Sequence, residues 1–184
     1  MNRDDEFYRQ FLSGKTSAYD ELMIRYGDSL TFYLYGYLHN WQDAEDLMIE
    51  AFARIMVKKP RIREGGFKAY LYKTARNLAF RFHSRESRAE IFSLEGAEKE
   101  LADSILLEDR LQEEEKKRIL HLCLERIDPE LREALWLIYF EDLSYEDAAG
   151  VMNVSRKRVD KLLQRGKEIL RTELEKEGIT NAHE

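Results

Sequence analysis

The sequence predicts an all-α protein built from two small helical domains that are joined by a flexible acidic linker. Apolar residues recur at steps of three and four over most of the 184 residues, which is the period of an amphipathic helix. Only two prolines and nine glycines interrupt them, and no alternating strand pattern is present. Residues 144–167 also have the pattern of a helix-turn-helix with a basic second helix, so we expect this motif in the C-terminal domain.

The N-terminal domain, residues 1–88, is expected to contain four helices. The predicted helices cover residues 4–13, 16–39, about 40–57 and 67–87. In the third helix one face is apolar and the other is acidic, with Asp43, Asp46 and Glu50 at steps of three and four and Glu45 nearby. The fourth helix has a polar stripe at a four-residue stride: Lys73, Asn77, Arg81 and Arg85.

Residues 89–110 lack firm periodicity and are expected to form the linker. The C-terminal domain, residues 111–176, should begin with a helix over 111–127, followed by a helix that starts at Asp128-Pro129 and runs to Phe140. Residues 177–184 are expected to be a frayed tail.

The helix-turn-helix is predicted from its caps and its turn. Ser144 and Ser155 are suited to N-cap the two helices, and Asn153 stands where the turn needs a residue that tolerates positive φ. Arg156, Lys157, Arg158 and Lys161 would then face outward from the second helix. The alternative is a plain helical hairpin with a solvated basic face.

The net charge of −6 conceals two basic segments. Residues 58–88 contain ten Lys and Arg against two Glu, and residues 155–171 contain seven against two acids. Between them, residues 86–115 contain eleven acids against three basic residues. Two basic domains around an acidic connector favour binding to nucleic acid through its phosphates.

Other classes of protein are disfavoured by the composition. No apolar run approaches the length of a membrane span, and the N-terminus lacks the apolar stretch of a signal peptide, so we expect a cytoplasmic protein without membrane insertion. Cys123 is the only cysteine, and the four histidines share no ligand spacing. We therefore expect no metal, no cofactor, no small-molecule substrate and no catalytic residue.

Three segments resemble the sigma factors of the extracytoplasmic-function group, bacterial transcription initiation factors with only the second and fourth conserved regions. WQDAEDLMIEAF at 41–52 and FKAYLYKTARNLAFRF at 67–82 are similar to second-region motifs. Residues 128–171 resemble the fourth region nearly end to end. The resemblance implies a non-enzymatic factor that binds core RNA polymerase and promoter DNA, capturing the melted −10 element and reading the −35 element as duplex.

The resemblance also assigns site residues. Core polymerase would bind Asp43, Glu45, Asp46 and Glu50, although a solvated helix face is the alternative for any acidic stripe. The −10 element would bind Lys58, Arg61, Arg63, Lys73, Arg76, Asn77 and Arg81. The −35 element would bind Ser155, Arg156, Lys157, Arg158, Lys161, Arg165 and Lys167.

The sequence departs from the family pattern at four positions, one of which is Leu162, where a basic residue is common. Tyr70 replaces a common Trp and would either stack on a base or pack in the core. Met56 replaces another Trp, from which we expect a repacked core. Asp160 stands where a basic residue is common, and it would either accept a hydrogen bond from cytosine or pair with Arg156.

Several alternatives remain open at this level. The linker would either thread into the polymerase cleft or act as a tether that keeps the domains close. The chain as a whole could instead be a stand-alone helix-turn-helix regulator, or a sigma-like decoy that sequesters a regulator. An anti-sigma protein is a further partner that the resemblance suggests, although no residue requires one.

Overall fold

The computed structural model describes residues 3–89 and 115–179, and all regular structure in these ranges is helical. The N-terminal helices are α1 (Arg3–Leu12), α2 (Ser17–Leu38), α3 (Trp41–Lys58) and α4 (Phe67–Ala89). The C-terminal helices are α5 (Glu115–Glu125), α6 (Pro129–Leu135), α7 (Tyr145–Met152) and α8 (Arg156–Lys176). The all-α prediction is confirmed. The predicted linker and the end of the tail lie outside the described residues.

Tyrosines fill much of the core between the N-terminal helices, and several of their hydroxyls form hydrogen bonds with a side chain or a backbone carbonyl. Tyr19 and Tyr72 are fully buried, and the Tyr19 hydroxyl donates to the carbonyl of Phe52 at 2.7 Å. Burial of the ring contributes hydrophobic free energy, and the hydrogen bond avoids the cost of a buried unpaired hydroxyl. These contacts hold α2 against α3 and fix the face of α3 that points to solvent.

The helix-turn-helix has the caps that the sequence predicts. The Ser144 hydroxyl accepts from the amide of Asp147 at 3.0 Å, and the Ser155 hydroxyl accepts from the amide of Arg158 at 3.2 Å. Asn153 has a φ of 56° and ends α7 in the left-handed conformation. The two caps and the turn set the angle at which α8 leaves α7.

Two expectations about local structure have different outcomes: the helix expected to run to Phe140 is confirmed, and the repacked core expected at Met56 is wrong. The helical segment is an α-helix over Pro129–Leu135 and continues as a π-helical turn over Trp136–Phe140. There the amide of Glu141 donates to the Trp136 carbonyl at 3.1 Å, while the Trp136 indole donates to the Glu141 carboxylate at 3.2 Å. Met56 is 44% exposed because it lies on the solvent side of α3, so it does not repack the core.

The N-terminal and C-terminal helices contact each other directly. Helix α7 packs on α4, and α6 reaches α2. The Phe32 ring lies 5.3 Å from the His121 ring across this contact. Arg132 of α6 donates to the Gly36 carbonyl at 2.5 Å, where the last turn of α2 concentrates negative partial charge.

Candidate nucleic-acid interface

A polar pocket opens between α3 and α4. Its volume is about 520 Å³, open to solvent, and Lys58, Tyr70, Asn77 and Arg81 are among the residues that line it. All four of these side chains are exposed, with Tyr70 36% exposed. The pocket therefore combines an aromatic face, an amide with both donor and acceptor groups, and two cations. Lys73 and Arg61 are exposed and do not line it.

The loop of residues 59–66, beside this pocket, is held by α1. The Asp5 carboxylate accepts from the Gly65 amide at 2.9 and 3.0 Å, and the Tyr8 hydroxyl donates to the Pro60 carbonyl at 2.7 Å. Gly65 has a φ of 70°, a conformation that glycine adopts without strain. Sequence reasoning missed this role of α1, since nothing in its acidic first turn indicates the distant loop that it contacts.

Two of the predicted −10 residues lie apart from the pocket and are ion-paired with the C-terminal helices. Arg63 pairs with Asp147 of α7. Arg76 pairs with Glu133 of α6, with Nε 2.8 Å from Oε1, and its side chain is only 15% exposed. Burial alone would lower the pKa of Arg76, but hydrogen bonds and the charge of Glu133 raise it, so the guanidinium stays charged.

The first turn of α8 carries three cations with different surroundings. Arg156 and Lys157 are exposed beside an open groove, whereas the Arg158 guanidinium donates to Glu130 of α6 at 2.5 Å. No ion pair joins Arg156 to Asp160 within the described part of the chain. Asp160 instead accepts from Gln164 at 3.3 Å, which removes one of the two expected roles of Asp160.

The remaining predicted −35 residues follow along α8. Lys161 and Arg165 are exposed, and Ser155 acts as the N-cap. The Lys167 ammonium lies 5.1 Å from the centre of the Tyr139 ring, a cation–π distance. The predicted basic residues of α8 therefore lie at the surface. Two of them also interact with neighbouring side chains: Arg158 with Glu130 and Lys167 with Tyr139.

The acidic face of α3 divides into exposed and tethered carboxylates. Asp46 is exposed, and Glu50 pairs with Arg54 on the same helix at 2.7 Å. Glu45 accepts from the Trp41 indole at 2.8 Å, and Asp43 is half-buried in the first turn. Ile49 lies on this face and is 53% exposed, which sequence reasoning missed. The sequence does contain a sign of this exposure, because Ile49 is apolar but lies outside the predicted buried stripe of α3.

Residues 3–89 and 115–179 contain neither a helix suited to span a membrane nor a cluster suited to hold a metal ion. No helix there combines the length and the hydropathy that crossing a bilayer requires. No cluster of three or more His, Cys, Asp or Glu side chains in those ranges is arranged to hold a metal ion.

Family comparisons match both halves of the chain. The sigma-70 region 2 model matches residues 22–89, and the sigma-70 region 4 model matches residues 117–170. The RNA polymerase sigma-H factor of Pseudomonas aeruginosa is 26% identical, covering 89% of this chain and 95% of its own. The extracytoplasmic-function (ECF) sigma factor SigW of Bacillus subtilis is 26% identical, covering 90% and 94%.

A solved structure has the same fold. The sigma factor RpoE of Bartonella quintana, in complex with the anti-sigma factor NepR, aligns with a TM-score of 0.65 at 17% identity, covering 85% of this chain and 96% of that one. Helices, motifs and family models therefore agree from α2 to α8. The chain belongs to the extracytoplasmic-function group of the sigma-70 family of RNA polymerase sigma factors.

Proposed function

We propose that this chain binds core RNA polymerase and directs it to a set of promoters by capturing melted −10 DNA and reading duplex −35 DNA. Sigma factors are initiation factors and not enzymes. The division into an N-terminal domain over 1–88 and a C-terminal domain over 111–176 is part of this proposal. The observation that carries it is the polar pocket between α3 and α4.

The pocket suits an unstacked base. Tyr70 offers a ring face, and a base stacked on it would gain about 1–3 kcal/mol. Asn77 can donate and accept hydrogen bonds at a base edge, and Lys58 and Arg81 lie where they can neutralise phosphates on either side. The exposure of Tyr70 favours the stacking role over the core role.

The first turn of α8 suits the major groove of duplex DNA. A recognition helix contacts base edges with its N-terminal residues, and Arg156 and Lys157 are exposed at that end of α8. Arg can bind guanine through two hydrogen bonds, and Lys161 and Arg165 follow where they can contact phosphates. Arg158 would join them only after leaving Glu130.

The exposed face of α3 suits a basic partner surface on core polymerase. Asp46 and Glu50 supply the charge, and Ile49 between them supplies an apolar contact that would lose water on docking. We assign Glu45 a positioning role, because its carboxylate is tied to the Trp41 indole. Asp43 would contribute charge from the first turn of the same helix.

An anti-sigma protein is a further proposed partner. The RpoE structure, which shares this fold, was solved with its anti-sigma factor NepR. The likeness at 17% identity concerns the fold, and the partner is carried over to this chain as a proposal only.

The test is run-off transcription with the purified chain, bacterial core polymerase and sheared genomic DNA of the source organism, with transcript 5′ ends mapped. Discrete new start sites with common upstream elements support the proposal. Absence of core binding would contradict it and favour a stand-alone regulator, whereas tight core binding without transcripts would favour a decoy.

The pocket has its own matched variants. Asn77→Ala should reduce transcription while leaving affinity for core polymerase unchanged. Ser84→Ala, on the same helix and away from the pocket, should leave both unchanged, because its hydroxyl donates only to the Phe80 carbonyl at 2.9 Å. Equal transcription by Asn77→Ala and the intact chain would exclude the pocket as the site of base capture.

A further inference from the structure

The loop of residues 59–66 joins the two helices that form the walls of the polar pocket. It leaves α3 after Lys58 and leads into α4, and both Lys58 and Tyr70 line the pocket. Within the loop, the Gly66 amide donates to the Arg63 carbonyl at 3.0 Å. The loop residues belong to no helix, so contacts from other elements must fix much of the shape of the loop.

Helix α1 holds this loop near both of its ends. Near the start of the loop, the Tyr8 hydroxyl donates to the Pro60 carbonyl at 2.7 Å. Near its end, the Asp5 carboxylate accepts from the Gly65 amide through both oxygens, at 3.0 and 2.9 Å. Burial raises the pKa of Tyr8 to about 12, so this hydroxyl keeps its proton and remains a donor. Residues 61–64 lie between the two points at which α1 holds the loop.

Helix α1 is itself fixed to α2. The Asp4 carboxylate accepts from the Tyr26 hydroxyl and pairs with Arg25 at 2.6 Å. The Phe11 ring lies 4.6 Å from the Tyr19 ring, and both rings are buried. Because α2 packs against α3 and α4 as well, α1 connects the loop to the core of the N-terminal helices.

The held part of the loop displays polar side chains beside the pocket. Arg61, Arg63 and Glu64 are exposed, whereas Ile62 is half-buried and packs against the core. A surface whose groups are fixed in advance discriminates well, because a wrong ligand leaves some of those groups unpaired. A flexible surface adapts to several ligands and discriminates less.

We propose that α1 sets the base selectivity of this chain at the −10 element, with Asp5 and Tyr8 as positioning residues that hold the loop of residues 59–66 in one conformation. This inference rests on the proposed function and goes beyond it, because neither side chain needs to touch DNA. A loop released from α1 adapts to several bases, so the preferred base loses more affinity than the others. Discrimination at the −35 element stays unchanged, because α8 reads that element.

The Asp5 contact is tested with a substitution, a rescue and a control. Asp5→Ala removes the acceptor of the Gly65 amide, and Asp5→Asn keeps a side-chain oxygen that can accept from it. The matched control is Glu6→Ala, which removes the same charge from the same turn of α1. Glu6 is exposed and accepts from Gln10 of its own helix at 3.3 Å.

The Tyr8 contact has its own pair of variants. Tyr8→Phe removes the hydroxyl that holds Pro60 and keeps the ring, which lies 5.3 Å from the Phe67 ring. The control is Tyr19→Phe, because the Tyr19 hydroxyl donates to the Phe52 carbonyl of α3 and not to the loop. Each variant loses one hydrogen bond from a buried tyrosine to a carbonyl, so their costs in stability are comparable.

Selectivity is measured by transcription with the full chain and core polymerase from a promoter that the run-off experiment maps, with each base of the −10 and −35 elements replaced in turn. Discrimination is the rate on the original promoter divided by the rate on the altered one. One wrong base pair typically weakens a specific protein–DNA complex by about fivefold or more. Asp5→Ala and Tyr8→Phe should each remove about fivefold of discrimination in the −10 element and none in the −35 element. Asp5→Asn should restore most of it, and both controls should match the unaltered chain.

Unchanged −10 discrimination in Asp5→Ala and Tyr8→Phe would overturn the inference. An equal loss in Glu6→Ala would also overturn it, since the effect would then reflect charge alone, and so would an equal loss at the −35 element, which would reflect general destabilisation. Absence of transcription by the unaltered chain would remove the proposed function together with this inference. Normal transcription with unchanged discrimination in the variants would remove this inference alone.

Discussion

The crossing of α8 over α6 gives the sharpest prediction about stability. Gly166 is buried at this crossing, where an added Cβ would lie 3.1 Å from Cδ1 of Leu135 and 3.5 Å from the Leu131 carbonyl oxygen. Gly150, in α7, would meet nothing within 4 Å and is exposed. The two glycines therefore make a matched pair: alanine gains helix propensity at both positions, but it is crowded only at residue 166.

Replacement of a helical glycine by alanine gains up to about 1 kcal/mol in propensity. Gly150→Ala should therefore raise the free energy of unfolding by up to about that amount. Gly166→Ala has the same gain but crowds the Leu135 side chain, and overpacking of a core costs about 1–3 kcal/mol. We expect Gly166→Ala to be less stable than Gly150→Ala by about 1–3 kcal/mol.

The assay is urea unfolding of both variants and the unaltered chain, followed by circular dichroism, with midpoints compared at equal slopes. In thermal unfolding the same difference corresponds to about 2–4 °C per kcal/mol for a chain of this size. If Gly166→Ala proves as stable as Gly150→Ala, the crossing has room for a methyl group and the reasoning about close approach is refuted.

Three other perturbations have defined outcomes. The double substitution Asp46→Lys and Glu50→Lys should abolish binding to core polymerase at unchanged helix content, whereas the control Asp20→Lys on α2 should leave binding intact. Unchanged affinity of the double variant would contradict the assignment of the α3 face to polymerase binding. Asn40→Ala removes the side chain that accepts from the Asp43 amide at 3.0 Å and should cost about 1 kcal/mol in thermal unfolding; an unchanged melting temperature would contradict the cap. Burial lowers the pKa of His121 below 6.5, so this histidine is protonated at a higher pH in the unfolded chain than in the folded one. The free energy of unfolding should therefore fall as the pH drops through about 6.5. His121→Phe should weaken that fall, and identical pH profiles for the variant and the unaltered chain would contradict this reasoning.

Local sequence chemistry was sufficient for the elements and for their ends. Ser144, Asn153 and Ser155 act through neighbours within three or four residues, so the helix-turn-helix follows from the chain itself. The acidic and apolar faces of α3 follow in the same way from helical periodicity. The exposure of Arg156 and Lys157 follows from helical periodicity as well, because the buried positions of α8 lie on its other face.

The pairing of distant groups was settled by tertiary structure alone. The basic stripe of α4 is continuous in sequence, yet its faces have different environments: Asn77 is open at the pocket, and Arg76, one residue away, is buried against Glu133. That division depends on how α6 and α7 pack on α4, across 57 residues of chain. Periodicity specifies which face of a helix is polar, because the position of each residue along the helix sets the direction of its side chain. It does not specify which partner neutralises a charge on that face, because that depends on contacts between helices that are far apart in sequence.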